Sequence, residues 1–264
     1  MANEDILQTI MARKREELDL RSRMVSQAQL EEQVGHPAPA RISMRKSLAA
    51  SHTGIIAEFK RRSPSKGWIN EQADASQIPP AYEAAGASAL SVLTDHDFFG
   101  GSLKDIRTAR PLVQLPILRK DFILSEYQLL QAKVVGADAV LLIAAALSRK
   151  TCLELARKAH ALHLEVLLEI HEEAELDYVT DEVDMVGVNN RNLGTFHTDV
   201  ENSFRLATRL PEGKLWVSES GISHPDTVRS LREAGFRGFL IGETFMREPM
   251  PGEALARFIH SLKA

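Results

Sequence analysis

Short apolar runs recur along the chain from residue 55 onward, and polar or amphipathic stretches separate them. Several are apolar at successive positions, as in Val140-Leu141-Leu142-Ile143, which is typical of parallel strands covered on both faces. Eight runs begin roughly 20 to 33 residues apart, at about 55–60, 88–93, 116–119, 138–143, 165–170, 184–189, 214–219 and 237–242. Helical periodicity marks segments between them, including 126–135, 149–162, 200–210 and 225–234.

Three joints between a helical segment and the following run resemble one another. Their glycines are Gly86, Gly136 and Gly235, and each falls where a helix would end in the left-handed conformation. Eight strands alternating with helices over this length predict an α/β fold, a (β/α)8 TIM barrel. A doubly wound open sheet is the alternative, but it usually has fewer strands, and no G-x-G-x-x-G follows the first run.

The first fifty residues precede this repeating pattern. Apolar positions at helical spacing predict a helix over 4–34, which the Gly- and Pro-containing stretch 35–40 ends, and residues 41–50 resemble a second short helix. We therefore expect residues 1–264 to form a single barrel domain. In it, residues 1–50 would be a helical extension over the barrel mouth.

Composition narrows the class of protein. The chain of 264 residues is 44% hydrophobic and 26% charged, which is ordinary for a globular protein, and its net charge of −4 gives no reason to expect nucleic-acid or membrane binding. The one cysteine, Cys152, excludes an intramolecular disulfide framework and a cysteine-rich zinc site. The charged N-terminus lacks the apolar core of a signal peptide, and no apolar run reaches membrane-spanning length, so we expect a cytoplasmic location.

Charged and amide side chains gather at the carboxyl ends of the predicted strands, whereas the opposite ends are bland. These residues are Glu58, Lys60, Lys120, Glu169, Asn189, Arg191 and Glu219. In a (β/α)8 barrel the carboxyl ends form the mouth that carries the active site. Lysines and carboxylates converging there suit general acid–base catalysis, although any one of them could be a solvated or structural charge.

Two short loops suggest a phosphate site. Ser220-Gly221 follows the seventh predicted strand and Gly242-Glu243 follows the eighth, where barrel enzymes commonly bind phosphate through backbone N–H groups. The polar turn from Ser63 to Gly67 after the first strand could also bind an anion. The alternative is that these are only tight turns.

Other polar residues point to function less clearly. His163 and His171 fit surface or core positions better than catalysis, and no metal site is expected from their spacing. The Asp95-His96-Asp97 stretch fits a solvated loop better than a metal site. Phe99, which follows it, would either wall an aromatic substrate or attach the loop to the barrel. Cys152 is expected to pack within a helix.

The motifs that contain these residues resemble those of the indole-3-glycerol phosphate synthase family of tryptophan biosynthesis. The resemblance runs nearly end to end, in the same order. The resemblance is seen in the stretches 57–67 (AEFKRRSPSKG), 118–122 (LRKDF), 168–169 (LE), 187–193 (GVNNRNL), 218–222 (SESGI), 240–243 (LIGE) and 246–247 (MR).

The resemblance implies a reaction and roles for the residues. The substrate 1-(2-carboxyphenylamino)-1-deoxyribulose 5-phosphate closes a ring and loses CO2 and water, and no metal or organic cofactor is implied. Lys120 would be the general acid, with Lys60 as the competing acid or the acid of the dehydration step. Glu169 would be the base or would stabilise the cationic intermediate, and Glu58 would position Lys60 and relay a proton.

The remaining residues would bind the substrate. Asn189 and Arg191 would hold its hydroxyl and carboxylate, with Glu219 supporting the polar network. The phosphate would lie against Ser63, Ser220, Gly221, Gly242 and the backbone of Glu243, and Phe99 and Leu193 would flank the aromatic ring. The resemblance also implies a small phosphorylated substrate as the partner, with no nucleic acid and no membrane, and favours a monomeric, monofunctional chain.

Two rival functions remain at this point. Phosphoribosylanthranilate isomerase is another phosphate-binding barrel of the same pathway, but its chemistry needs an aspartate–cysteine pair at strand ends, and Cys152 lies in a helical segment. A catalytically silent barrel serving as a binding module would tolerate loss of Lys60, Lys120 and Glu169, all of which are present.

Overall fold

Eight parallel strands close into a barrel in the computed structural model, which describes residues 6–34, 42–192 and 197–263. The strands are β1 (Ile55–Phe59), β2 (Ala89–Leu93), β3 (Ile117–Lys120), β4 (Ala139–Ile143), β5 (Glu165–Ile170), β6 (Met185–Asn189), β7 (Leu215–Glu219) and β8 (Gly238–Ile241). Neighbours in sequence are neighbours in the sheet, and β1 closes it by pairing with both β2 and β8. The predicted (β/α)8 barrel is confirmed, and the open sheet is excluded.

Helices precede the first strand and connect the later strands around the barrel. They are α1 (Ile6–Met24), α2 (Gln27–Val34), α3 (Met44–Ala50), α4 (Ile78–Ala84), α5 (Leu103–Ala109), α6 (Glu126–Val135), α7 (Arg149–Ala161), α8 (Glu201–Ala207), α9 (Pro225–Glu233), α10 (Glu243–Met246) and α11 (Pro251–Lys263). Between β5 and β6 the connection is a 3-10 helix, Glu173–Tyr178. Among the described residues, no helix is both long and apolar enough to cross a membrane.

Local sequence signals explain several of these boundaries. The predicted joint glycines Gly86, Gly136 and Gly235 have φ angles of +98°, +89° and +108°, so each takes the left-handed conformation that a side chain disfavours. Ser148 begins α7 because its hydroxyl accepts a hydrogen bond from the backbone N–H of Thr151. Cys152 is buried within α7, as expected.

The predicted helix over 4–34 is wrong in one respect, because two helices occupy this stretch. Ser26 separates them: its N–H donates to Gln29 Oε1 at 2.8 Å and its hydroxyl accepts from Gln29 N at 3.3 Å. This reciprocal pair is a capping box that starts α2. Tyr127 of α6 donates its hydroxyl to the carbonyls of Arg21 and Val25, which satisfies acceptors at the end of α1.

Helices α1 and α3 of the N-terminal extension lie at opposite ends of the barrel. On α1, Arg13 and Lys14 pair with Asp97 and Asp95, which follow the carboxyl end of β2. By contrast, the segment that opens α3 contacts the amino-terminal ends of strands, where Ser43 donates its hydroxyl to Glu165 of β5. The expectation that residues 1–50 all lie over the mouth is therefore wrong for α3, which covers the other end of the barrel.

Candidate active site

A cavity of about 500 Å³ opens at the carboxyl ends of the strands. Nearly all of the residues predicted to form the site line it: Glu58, Lys60, Ser63, Phe99, Lys120, Glu169, Asn189, Arg191, Glu219, Ser220, Gly221, Gly242 and Glu243. The other predicted residue, Leu193, lies outside the described residues. Side chains from distant parts of the chain thus meet in one cavity because parallel strands bring their carboxyl ends to the same rim.

Lys120, the last residue of β3, lies between two carboxylates. Its Nζ is 3.1 Å from Glu169 Oε2 on β5 and 3.6 Å from Glu219 Oε2 on β7. Burial alone would lower the pKa of Lys120, but the charges of Glu169, Glu219 and Glu58 outweigh burial and raise it. Lys120 is therefore a protonated amine aimed into the cavity at neutral pH.

The two carboxylates beside Lys120 differ in their surroundings. Burial would raise the pKa of Glu169, but the charges of Lys120 and His171 and a hydrogen bond from Asn189 lower it. Glu219 is also buried, and neither of its oxygens accepts a hydrogen bond from the described residues. Burial, joined by repulsion from Glu169 and Glu58, raises the pKa of Glu219 to about 8 despite the charge of Lys120. One amine thus lies between a carboxylate that is ionised at neutral pH, Glu169, and a carboxyl that titrates near neutral pH, Glu219.

A second lysine–carboxylate pair lies on β1 and the loop after it. Lys60 Nζ is 2.8 Å from Glu58 Oε1, which confirms that the two side chains share a face, as the two-residue spacing predicted. Ser91 of β2 donates its hydroxyl to Glu58 Oε2 at 3.4 Å. The ion pair with Glu58 of β1 therefore holds the amine of Lys60 in place.

Two glycines leave room for these carboxylates. A Cβ on Gly187 of β6 would overlap Glu219 Oε1, and a Cβ on Gly242 would overlap Glu58 Oε1. Each site therefore requires a residue without a side chain. Sequence reasoning assigned Gly242 to phosphate binding and missed Gly187, because close approach to a side chain from another strand leaves no local signal.

The loop after β7 has a distinctive backbone. Ser220 and Gly221 have φ angles of +67° and +77°, so a serine takes the left-handed conformation that usually favours glycine. This arrangement costs a serine about 1 kcal/mol or more and tends to persist where function requires it. Both residues line the cavity.

Cationic groups extend from the same rim. Arg191 donates to Ser65 Oγ at 2.9 Å, which links the loop after β6 to the loop after β1. Glu243 Oε2 lies 3.8 Å from Arg191, and its Oε1 lies 3.9 Å from Lys66. The cavity therefore carries positive groups where the loops after β1 and β6 meet.

Apolar side chains complete the wall, and most of them were not predicted. The rings of Phe99 and Phe122 lie 6.1 Å apart, centroid to centroid, and Leu93, Leu141 and Ile143 also line the cavity. Apolar residues at a strand end look the same in sequence as residues of the core. Only closure of the barrel shows that they face a cavity.

Some of the weaker sequence interpretations change. His171 is half-buried, which agrees with the expected surface or core position, and its Nε2 lies 3.5 Å from Glu169 Oε1. Asp95 is buried and pairs with Lys14 rather than lying in a solvated loop. His163 is exposed at the end of α7, as expected. Within the described residues, no group of three or more histidine, cysteine or acidic side chains could hold a metal ion.

A closed (β/α)8 barrel with two lysines and three carboxylates at its carboxyl rim defines an acid–base enzyme of the barrel class. The fold also matches that of solved structures. A mutant tryptophan synthase alpha-subunit from Pyrococcus furiosus aligns with a TM-score of 0.61 and 16% identity, over 80% of this chain and 98% of that one.

Sequence comparison gives the family. The model of the family described as indole-3-glycerol phosphate synthase matches residues 7–258. Indole-3-glycerol phosphate synthase of Bacteroides thetaiotaomicron is 64% identical over 98% of this chain and 99% of its own length. That of Magnetococcus marinus is 44% identical over 97% and 98%. The chain belongs to the indole-3-glycerol phosphate synthase family, and its predicted activity as a carboxy-lyase of tryptophan biosynthesis is confirmed.

Proposed function

We propose that Lys120 is the general acid with which this chain closes the ring of 1-(2-carboxyphenylamino)-1-deoxyribulose 5-phosphate. The observation that carries the proposal is the position of its amine, buried in the cavity between Glu169 and Glu219. The ring carbon attacks the substrate carbonyl, and negative charge develops on the carbonyl oxygen. A protonated amine at that oxygen supplies the proton and stabilises the charge.

Glu169 acts on the cation that follows ring closure. Its carboxylate remains ionised because its pKa is lowered by the charges of Lys120 and His171, despite its burial. A fixed negative charge there stabilises the positively charged intermediate that loses CO2, and it accepts the proton lost when the new ring becomes aromatic. Asn189 orients this carboxylate through a hydrogen bond and contacts the substrate hydroxyl.

Lys60 serves the dehydration step. Glu58 holds its amine at 2.8 Å on the neighbouring wall of the cavity, which supports a role distinct from that of Lys120. A protonated Lys60 donates a proton to the departing hydroxyl, and a proton from solvent, relayed by Glu58, then restores the amine. Glu219 completes the polar network at the cavity floor by its contact with Lys120.

The anionic groups of the substrate bind at the positive edge of the cavity. Arg191 takes the carboxylate, supported by Ser65. The phosphate lies against the loops that contain Ser63, Ser220, Gly221 and Gly242, together with the backbone of Glu243, and all of these line the cavity. Phe99 stacks beside the aromatic ring.

The wider setting follows from the same proposal. The enzyme acts as a single barrel domain and as a monomer in the cytoplasm, on a small phosphorylated substrate, without nucleic acid, metal or organic cofactor. The net charge of −4 supports the absence of a nucleic-acid partner.

The test follows indole fluorescence after the substrate is added to the purified protein. We expect Lys120→Met to lower kcat by about 10²–10⁴, the usual contribution of a general acid. Lys104→Met is the matched control, because Lys104 is exposed on α5 and does not line the cavity. Near-normal turnover by the folded Lys120→Met protein would show that another group is the acid.

A further inference from the structure

Two neighbouring asparagines at the end of β6 lie in different surroundings. Asn189 lines the cavity, whereas Asn190, the next residue, does not. This difference follows from the alternation of side chains along a strand, which sends successive residues to opposite faces. Asn190 is only 4% exposed and belongs to a buried polar network outside the cavity. The proposed reaction uses Asn189 and leaves Asn190 without a role.

The buried network fixes the orientation of the Asn190 side-chain amide. Its Oδ1 accepts hydrogen bonds from the backbone N–H of Ser203 at 3.1 Å and from the Ser203 hydroxyl at 2.8 Å. Its Nδ2 donates to Ser218 Oγ at 3.0 Å and to the carbonyl oxygen of Ser220 at 3.1 Å. A backbone N–H can only donate and a carbonyl oxygen can only accept, so exchanging the amide oxygen and nitrogen would break a hydrogen bond at each end.

The contact with Ser220 acts on a strained residue of the loop after β7. Ser220 has a φ angle of +67°, a conformation that a serine keeps only where surrounding contacts impose it. The hydrogen bond from Asn190 is such a contact, because it fixes the direction of the Ser220 carbonyl. Asn190 also donates its own backbone N–H to the carbonyl of Glu219 at 2.9 Å. One residue therefore holds two successive carbonyls of the chain as it leaves β7.

The direction of the Ser220 carbonyl determines where the N–H of Gly221 points. Both groups belong to one planar trans peptide unit, in which the C=O and the N–H point in opposite directions. Because the carbonyl points to the buried Asn190, the N–H points away from it, and Gly221 lines the cavity. Among the described residues, no acceptor takes a hydrogen bond from this N–H. An unused backbone donor at a cavity wall suits an anionic ligand.

We propose that Asn190 is a positioning residue for the substrate phosphate: its side-chain amide holds the Ser220 carbonyl and thereby directs the N–H of Gly221 at the phosphate. The inference rests on the proposed phosphate site in the loops after β7 and β8. Asn190 does not touch the substrate and acts only through the peptide unit between Ser220 and Gly221. Loss of its amide therefore weakens the phosphate contact and leaves the acid–base chemistry of Lys120 in place.

The test replaces the donor of the Asn190 amide and measures phosphate recognition. Asn190→Asp keeps the shape and the acceptor for Ser203 but sets an oxygen against the carbonyl oxygen of Ser220. We expect the inhibition constant of inorganic phosphate, a competitor of the substrate, to rise about 10- to 100-fold, as for a lost hydrogen bond to a charged group. For the phosphorylated substrate, kcat/KM should fall by a similar factor. For the same substrate without its phosphate, kcat/KM should stay within about twofold of the starting protein.

A second position in the same network provides the matched control. Ser203→Ala removes a buried hydroxyl but keeps the Ser203 N–H on Asn190 Oδ1 and the Asn190 amide on the Ser220 carbonyl. Its inhibition constant for phosphate should equal that of the starting protein, whatever the change in stability. Asn190→Ser removes the amide without adding a charge. It should raise the inhibition constant in the same direction, and it provides the test if Asn190→Asp does not fold.

Three results would overturn the proposal. An unchanged inhibition constant in the folded Asn190 variants would do so and would leave the phosphate site itself in place. Equal losses of kcat/KM toward the phosphorylated and phosphate-free substrates would assign Asn190 a role in the fold alone. If inorganic phosphate does not inhibit the starting protein, the proposed phosphate site is wrong and the role of Asn190 falls with it. None of these results bears on Lys120, which Lys120→Met tests separately.

Discussion

Two buried charge clusters at the carboxyl rim share the same components and behave in opposite ways. Around Lys14 of α1, the amine lies 2.8 Å from Asp95, 3.0 Å from Asp121 and 2.7 Å from Glu17. Around Lys120, one residue before Asp121 in sequence, the amine lies between Glu169 and Glu219. Both amines are paired with carboxylates, but only the amine of Lys120 faces the cavity.

The difference lies in how fully the carboxylates are paired. Asp121 accepts hydrogen bonds from Thr94, Arg119 and its neighbour's N–H, besides its contact with Lys14. Burial would raise the pKa of Asp121, but Lys14 and Arg119 outweigh it and lower the pKa to about 2. Glu219 has no such hydrogen bonds from the described residues, and its pKa rises to about 8. A saturated cluster fixes its charges and serves stability, whereas an unsaturated one keeps a group that titrates near neutral pH.

Breaking the saturated cluster should have the largest effect on stability. We expect Lys14→Met to lower the free energy of unfolding by about 3–5 kcal/mol, because it leaves buried carboxylates without their counter-charge. Urea denaturation at pH 7 measures this change. Arg13→Met, on the same helix but with an exposed ion pair, should cost at most about 1 kcal/mol. Equal effects of the two substitutions would contradict the assigned difference between the clusters.

Neutralising the unsaturated cluster should affect turnover more than folding. We expect Glu169→Gln to lower kcat by about 10² or more with a smaller change in KM, because the charge acts on the cationic transition state. Steady-state kinetics separates the two parameters. An effect confined to KM would make Glu169 a binding residue.

The space around Glu219 offers a narrower test. Gly187→Ala places a methyl group against Glu219 Oε1, so we expect a loss of about 1–3 kcal/mol in stability together with a lower kcat. The same substitution in a Glu219→Ala background should cost much less stability, because the carboxylate is gone. Thermal unfolding of the four proteins completes this double-mutant cycle, and additive costs would refute the contact.

The raised pKa of Glu219 also predicts that stability depends on pH. A glutamate carboxyl titrates near 4.5 in the unfolded chain, and Glu219 titrates near 8 in the fold. Between these values the folded state binds more protons, so Glu219 makes stability fall as pH rises, by at most about 1.4 kcal/mol per pH unit. Glu219→Gln should remove this contribution and therefore gain stability, relative to the starting protein, from pH 5 to pH 8.

Denaturation at several pH values measures this change. The exposed Glu253→Gln serves as control and should follow the starting protein at every pH. A constant stability difference between Glu219→Gln and the starting protein over this range would show that Glu219 titrates in the fold as it does in the unfolded chain.

Local signals were sufficient for much of the fold and for the core of the site. Apolar runs and the turn glycines such as Gly136 predict strands and helix ends because backbone conformation depends on neighbouring residues. Lys60, Lys120 and Glu169 could be placed together because one topological rule brings all carboxyl ends of the strands to one rim. The break at Ser26 was visible in principle as a Ser-x-x-Gln capping box, but the continuous helical pattern obscured it.

The amino-acid sequence by itself determined the order of strands and helices, the family, and which chemical groups stand at the mouth of the barrel. Tertiary structure alone decided that Lys14 is buried, that Gly187 makes room for Glu219, and that His171 reaches Glu169. It also decided that α3 covers the end of the barrel opposite the mouth. The physical reason is that burial and pairing depend on atoms within about 4 Å, contributed by residues far apart in the chain.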